Sequence, residues 1–180
     1  MSAPSPIPFL DLALETRALR PDLDRAVARV LDRGRFLLGP ELDAFEQELS
    51  AWLGGGTVCG TSNGLDAIEL LLRAHGIGPG DEVLVPSNTY IATWLGVTHA
   101  GAVPVPVEPD PDTRNLGAHG LEQALTPRTR AVLGVHLYGS PCDLAALSTF
   151  CRRHHLPLLI DAAQALGATW EGSRTRALAD

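Results

Sequence analysis

Five side chains in this 180-residue sequence could act on a single ligand, and they occur in order along the chain. Ser62 and Asn63 lie in "CGTSNGLDAIELLL" (59–72), Tyr90 in "VPSNTYIATW" (85–94), and Asp161 and Gln164 in "LLIDAAQALGA" (158–168). The first segment reads as a strand end, a small-residue turn and an amphipathic helix. Ser62 or Asn63 would cap that helix, and the small side chains let an anion approach the unpaired N–H groups; an ordinary helix cap is the structural alternative. Tyr90 falls at or near the carboxyl end of the next strand, where an aromatic ring can cover a planar ligand. The alternative is a core tyrosine with its hydroxyl satisfied.

Asp161 follows Leu158, Leu159 and Ile160, a short apolar run that reads as a buried strand feeding a helix. The carboxyl end of such a strand is where open α/β sheets hold ligands. A carboxylate there calls for a positive or hydrogen-bonding partner, unless it only caps the helix. Gln164, three residues on, faces the same way on a helical turn. A carboxylate and an amide directed at one planar ligand can pair with a ring nitrogen and a ring hydroxyl. His136 and Tyr138 in "GVHLYG" end another strand, and His136 reads as structural because nothing near it in sequence tunes it.

On successive strand ends these residues point to pyridoxal phosphate. Its phosphate would sit on a helix N-terminus, its ring under an aromatic, and its pyridine nitrogen against an acid. That acid keeps the nitrogen protonated, so the ring can absorb the electrons of a carbanion. Other nucleotide-binding patterns do not fit: there is neither G-x-G-x-x-G nor G-x-x-x-x-G-K-[ST].

The elements that must position these groups follow from the apolar spacing. Leu23, Val27, Val30 and Leu31 predict a helix with Pro21 in its first turn. A loop over 34–40 leads to a second helix opened by Pro40, with Leu42, Phe45, Leu49, Trp52 and Leu53 on one face and "GGG" (54–56) ending it. Beyond it, strands at Thr57–Cys59, Glu82–Val85, Val103–Val107, Ala131–Leu137 and Leu158–Ile160 alternate with helices near 63–75, 90–100, 117–125 and 143–154. That alternation predicts an α/β fold with a mainly parallel sheet. The expected division is an N-terminal helical segment over 1–56 and an α/β portion over 57–180.

Composition narrows the partners. The net charge of −7 argues against nucleic acid or an anionic membrane. No apolar run approaches the ~20 residues of a membrane helix, and the N-terminus lacks a secretory pattern, so the expected location is cytoplasmic. Cys59, Cys142 and Cys151 fall in no metal-ligand spacing and read as reduced thiols. All 14 basic residues are arginine; there is no lysine.

The chain resembles the DegT/StrS-type pyridoxal-phosphate-dependent sugar aminotransferases, and among them those acting on nucleotide-linked 3-keto-6-deoxyhexoses. The resemblance runs through "FLDL", "CGTSNGLDAIELLLRAHGIGPGDEVLVPSNTYIATW", "GAVPVPVEPDPDTRNL", "TPRTRAVLGVHLYG" and "DAAQALGA". It implies an aspartate-aminotransferase-like (fold type I) large domain and a homodimer with shared active sites. It also implies that Ser62 and Asn63 hold the phosphate, Tyr90 stacks on the ring, Asp161 pairs with the pyridine nitrogen and Gln164 approaches the ring hydroxyl. The implied reaction moves an amino group from glutamate or glutamine to a nucleotide-linked keto-deoxysugar. One departure is Arg114 in "TRNLGA", where the family pattern leads one to expect an aromatic.

The second departure is the lysine. By the same resemblance the Schiff-base lysine belongs to a Ser-Phe-x-x-x-Lys-like segment beyond Asp180. The expectation is therefore an N-terminal half, with an incomplete large domain and no activity alone. The alternatives are a naturally short, non-catalytic module that binds pyridoxal phosphate or dimerises, and a related dehydratase that uses His in place of Lys. Gln164 favours the aminotransferase.

Overall fold

The structure, a computed structural model, describes residues 7–170 and 172–174. Two compact units make up the chain, Met1–Gly60 and Thr61–Asp180.

The first unit carries two helices, α1 (Leu12–Arg33) and α2 (Pro40–Trp52). The expected start of α1 at Pro21 is corrected: the helix begins nine residues earlier and passes through the proline. Asp11 Oδ1 accepts the Leu14 N–H at 3.1 Å and caps the true start. The apolar spacing in fact runs back past Pro21 to Leu19 and Leu12. At the other end Gly34, in the left-handed region at φ 63°, donates to the carbonyls of Val30 and Leu31. Glu41 at the start of α2 binds both Arg29 and Arg33 of α1. Neither helix has a fully buried residue, and Leu19, Leu23, Val27, Leu31 and Phe45 stay exposed.

The second unit holds α3 (Gly64–Ala74), β1 (Glu82–Pro86), α4 (Ile91–His99), β2 (Val103–Val107), α5 (Leu121–Ala124), β3 (Thr129–Val135), α6 (Leu144–His154) and β4 (Leu158–Asp161). The short antiparallel pair β5 (Thr169–Trp170) and β6 (Ser173–Arg174) follows. The main sheet has the order β2-β1-β3-β4, and every neighbouring pair is parallel. Pro104 and Pro106 place β2 at an edge, since neither can donate to a second neighbour. All five residues of β1 are buried, as expected of a strand covered on both faces.

Alternation along the strands splits the core in two. Val83, Val85, Leu133 and Leu159 pack with Ile68, Leu72 and Val97 of α3 and α4. Leu84, Val132 and Leu158 pack with Leu144, Leu147 and Phe150 of α6. At the amino edge, buried Glu82 accepts from the Thr126 hydroxyl and the Arg128 guanidinium, and these bonds hold its carboxyl below the usual range.

Three further expectations are corrected. Thr57–Cys59 joins no ladder among the described strands. The strand expected over Ala131–Leu137 is Thr129–Val135, because Tyr138 (φ 54°) and Gly139 (φ 82°) turn left-handed and leave the ladder. The helix expected after Asp161 is a pair of turns, in which Ala165 N donates to Ala162 O and Ala168 N to Ala165 O, with Gly167 at φ 93°.

Close approach of α3 and α4 depends on Gly96. A Cβ there would lie 2.7 Å from Ile68 Cγ2 and 3.1 Å from Leu65 O. In an open helix Gly→Ala stabilises by about 1 kcal/mol. Here overpacking reverses the sign, and Gly96→Ala should cost about 1–3 kcal/mol. Urea denaturation measures it; a variant as stable as the parent would mean that the two helices part without penalty.

Among the described residues no helix is long and apolar enough to cross a membrane, and no group of three or more His, Cys, Asp or Glu could hold a metal ion.

Candidate active site at the strand ends

Because the strands are parallel, their carboxyl ends share one edge of the sheet. α4 follows β1 and starts there, with Tyr90 as its N-cap. α3 leads into the amino end of β1, so its own N-terminus lies toward the same carboxyl edge. Asp161 ends β4 at this edge. Four of the five expected residues thus reach the edge through helix starts and strand ends, and Gln164 follows in the turn after Asp161.

At the start of α3, Asn63 is the N-cap and its Oδ1 accepts the Asp66 N–H at 2.9 Å. The N–H groups of Gly64 and Leu65 have no hydrogen-bond partner among the described residues. Two unpaired donors at a helix start suit an anion. Ser62 Oγ and Asn63 Nδ2 both bond Asp66 Oδ2. An arriving phosphate would have to compete for those donors with a carboxylate that the sequence reading did not single out.

Tyr90 is 70 % exposed, so its ring is not a core residue and is open to a ligand. The Asp161 carboxylate has no cation partner among the described residues. Instead Oδ1 accepts the Ala163 N–H at 3.0 Å and Oδ2 the Thr93 hydroxyl at 3.4 Å. Both bonds leave lone pairs on an acceptor-only group, and an approaching N–H can use them.

Gln164 is not placed by a helical turn, contrary to expectation. Its Oε1 accepts the Tyr138 N–H at 2.6 Å. A backbone N–H can only donate, so the amide oxygen faces Tyr138 and the NH₂ is left to donate to a ligand oxygen. The left-handed backbone of Tyr138 turns its N–H toward Gln164.

His136 is fully buried, and its Nδ1 accepts the Cys142 N–H at 3.2 Å. Nδ1 is therefore unprotonated and Nε2 carries the hydrogen of the neutral ring. Burial holds its pKa below the ordinary histidine value, partly opposed by the Asp161 charge. Cys142 Sγ lies 3.3 Å from the same Nδ1, but burial pushes that thiol up to about 12. Burial thereby disfavours a thiolate–imidazolium pair, while the buried His136 Nε2 has no hydrogen-bond partner among the described residues. Arg114, at φ 62°, is anchored through its carbonyl to Asn88 Nδ2 at 2.9 Å.

Thr93 was missed in the sequence because "IATWLG" reads as ordinary helix filling. The only available signal was a hydroxyl three residues beyond Tyr90 on an otherwise apolar helix face.

Comparison with known proteins gives a consistent set. The DegT/DnrJ/EryC1/StrS aminotransferase family profile matches residues 18–180. A dTDP-3-amino-3,4,6-trideoxy-alpha-D-glucose transaminase of Streptomyces venezuelae is 54% identical over 93% of this chain and 44% of its own length. A dTDP-3-amino-3,6-dideoxy-alpha-D-galactopyranose transaminase of Aneurinibacillus thermoaerophilus is 43% identical over 97% of this chain and 48% of its own. Among solved structures, S. venezuelae DesV, in complex with a ketimine intermediate, superposes with a TM-score of 0.91, covering 94% of this chain and 46% of that one, at 54% identity. NtdA of Bacillus subtilis with bound cofactor PMP has a TM-score of 0.89 at 36% identity, covering 97% of this chain and 40% of that one. The chain spans less than half the length of these relatives.

Proposed function

Since the chain belongs to the DegT/DnrJ/EryC1/StrS aminotransferase family, we propose that it forms the cofactor-binding part of a sugar aminotransferase. In this reading pyridoxal phosphate is the cofactor, a nucleotide-linked keto-deoxysugar the acceptor, and glutamate or glutamine the amino donor. The observation that carries it is Asp161: a carboxylate at the carboxyl end of β4, held by a hydroxyl and a backbone N–H rather than by a cation. Such a group is suited to a protonated ring nitrogen.

When bound, pyridoxal phosphate supplies an electron sink for the carbon that gains or loses the amino group. Ser62, Asn63 and the first N–H groups of α3 would hold its phosphate. Tyr90 would cover the ring, and Asp161 would keep the pyridine nitrogen protonated. The Gln164 NH₂ would donate to the ring oxygen. The amine that moves a proton at the reacting carbon is not among these 180 residues, which include no lysine.

A second copy of the protein is the proposed partner for the exposed apolar side chains of α1 and α2. The three free cysteines suit a reducing compartment, and the cytoplasm is the proposed location.

The phosphate assignment has a direct test. Asn63→Ala and Ser62→Ala together should weaken pyridoxal phosphate binding about thirtyfold, at roughly 1 kcal/mol for each of two lost hydrogen bonds. Pyridoxal, which lacks the phosphate, should bind parent and variant alike in a fluorescence titration. An equal loss for both ligands would remove Ser62 and Asn63 from the phosphate site.

A further inference from the structure

Thr93 is fully buried in the first turn of α4, yet its hydroxyl does not do what helical threonines usually do. A threonine inside a helix commonly donates to the carbonyl four residues back. Thr98 of the same helix does so, to Trp94 O at 2.7 Å. The Thr93 hydroxyl instead reaches Asp161 Oδ2 at 3.4 Å, 68 residues away, and lies 2.9 Å from Thr89 Oγ1. An ionised carboxylate can only accept, so Thr93 gives its single hydrogen to Asp161. Thr89 must then donate to Thr93. The result is a directed chain from Thr89 to Thr93 to Asp161.

The packing explains why this chain reaches Asp161. Asp161 is two residues beyond Leu159 and shares its sheet face, the one covered by α3 and α4. The Thr93 N–H donates to Tyr90 O at 3.0 Å, so a single helical turn carries both the exposed Tyr90 ring and the buried hydroxyl. A valine would fill the same volume in this core without a polar group to satisfy.

We propose that Thr93 is a positioning residue, oriented by Thr89, that fixes the Asp161 carboxylate for the pyridine nitrogen of the cofactor. The inference rests on the aminotransferase reading of Asp161 given above. Thr93 touches neither cofactor nor substrate; it acts through Asp161. Without its hydroxyl, Oδ2 loses a donor and the carboxylate can rotate away from the ring nitrogen.

The test measures cofactor affinity of the protein with two probes. One is pyridoxal phosphate; the other is its 1-deaza analogue, which has carbon in place of the ring nitrogen. Thr93→Val should weaken pyridoxal phosphate binding about tenfold, and Thr93→Ser should restore it to within about twofold of the parent. Neither should change affinity for the deaza analogue, because Asp161 has no ring nitrogen to meet there. Equal losses for both probes would make Thr93 a packing residue and overturn the proposal. Parental affinity in Thr93→Val, alongside weakened binding in Asp161→Asn, would overturn it while leaving the aminotransferase reading intact. Parental affinity in Asp161→Asn would sink that reading and this proposal with it. Should Thr93→Val fail to fold, Thr89→Val at its half-buried position takes its place. It should show a smaller loss, about twofold to threefold, for pyridoxal phosphate alone, and parental affinity in it would count against the relay.

Discussion

A polypeptide of these 180 residues, supplied with pyridoxal phosphate, glutamate and a nucleotide-linked keto-sugar, will transfer no amino group. Transamination through this cofactor requires an amine that bonds its carbonyl and then carries a proton at the reacting carbon. Lysine provides both functions because its pKa shifts readily on burial. None of the basic side chains here is lysine. The arginines stay protonated at any working pH and cannot attack a carbonyl. The six histidines could relay a proton but could not hold the cofactor. Borohydride treatment followed by peptide mapping should accordingly place no cofactor on a site residue. Sustained turnover in a preparation free of host aminotransferase would show that some other group does this work.

In a protein that joins these residues to the lysine-bearing part proposed above, Asp161→Asn should keep the fold and lose most of the activity. Asparagine keeps one oxygen to accept the Ala163 N–H, so the turn after β4 is held, while its NH₂ replaces the oxygen that accepted the Thr93 hydroxyl and can only donate. A neutral amide cannot hold a positive charge on the ring nitrogen. Removing one partner of a buried charge pair costs about 3–5 kcal/mol. If the loss falls on the reacting step, it lowers kcat/KM by roughly two to four orders of magnitude. The melting temperature should move little by comparison. Near-parental kcat/KM would reassign Asp161 to holding the turn at Ala163.

The parts of this protein that rest on short-range physics could be read from the residues in order. Apolar runs bounded by Gly, Pro and Asp marked β1, β2 and β4, and the 3.6-residue spacing marked α3 and α6. Ser62 or Asn63 ahead of "GLDAIELLL" marked a helix start, and in the structure Asn63 is the cap. Strand–helix alternation implied the parallel sheet, and with it a shared edge for Tyr90 and Asp161. These inferences needed only hydrogen bonds and contacts within a few residues.

Errors appeared where local preference met a longer-range demand. The Ala-rich stretch after Asp161 has good helix propensity, but its Gln164 is tied to the Tyr138 N–H, Gly167 turns left-handed, and the segment forms turns instead. Pro21 looked like a helix start, but Asp11 had already capped the helix ten residues before it. The identity of the groups that hold Asp161 and Gln164 was settled only in three dimensions. Thr93 meets Asp161 because β4 lies beside β3, two strands from β1, with α4 over the same face. Gln164 meets Tyr138 because the chain after β3 turns left-handed at that residue. A hydroxyl or an amide has the same local sequence signature whatever it binds. Its partner is set by strand order and by which face of the sheet it occupies, and those are properties of the assembled core.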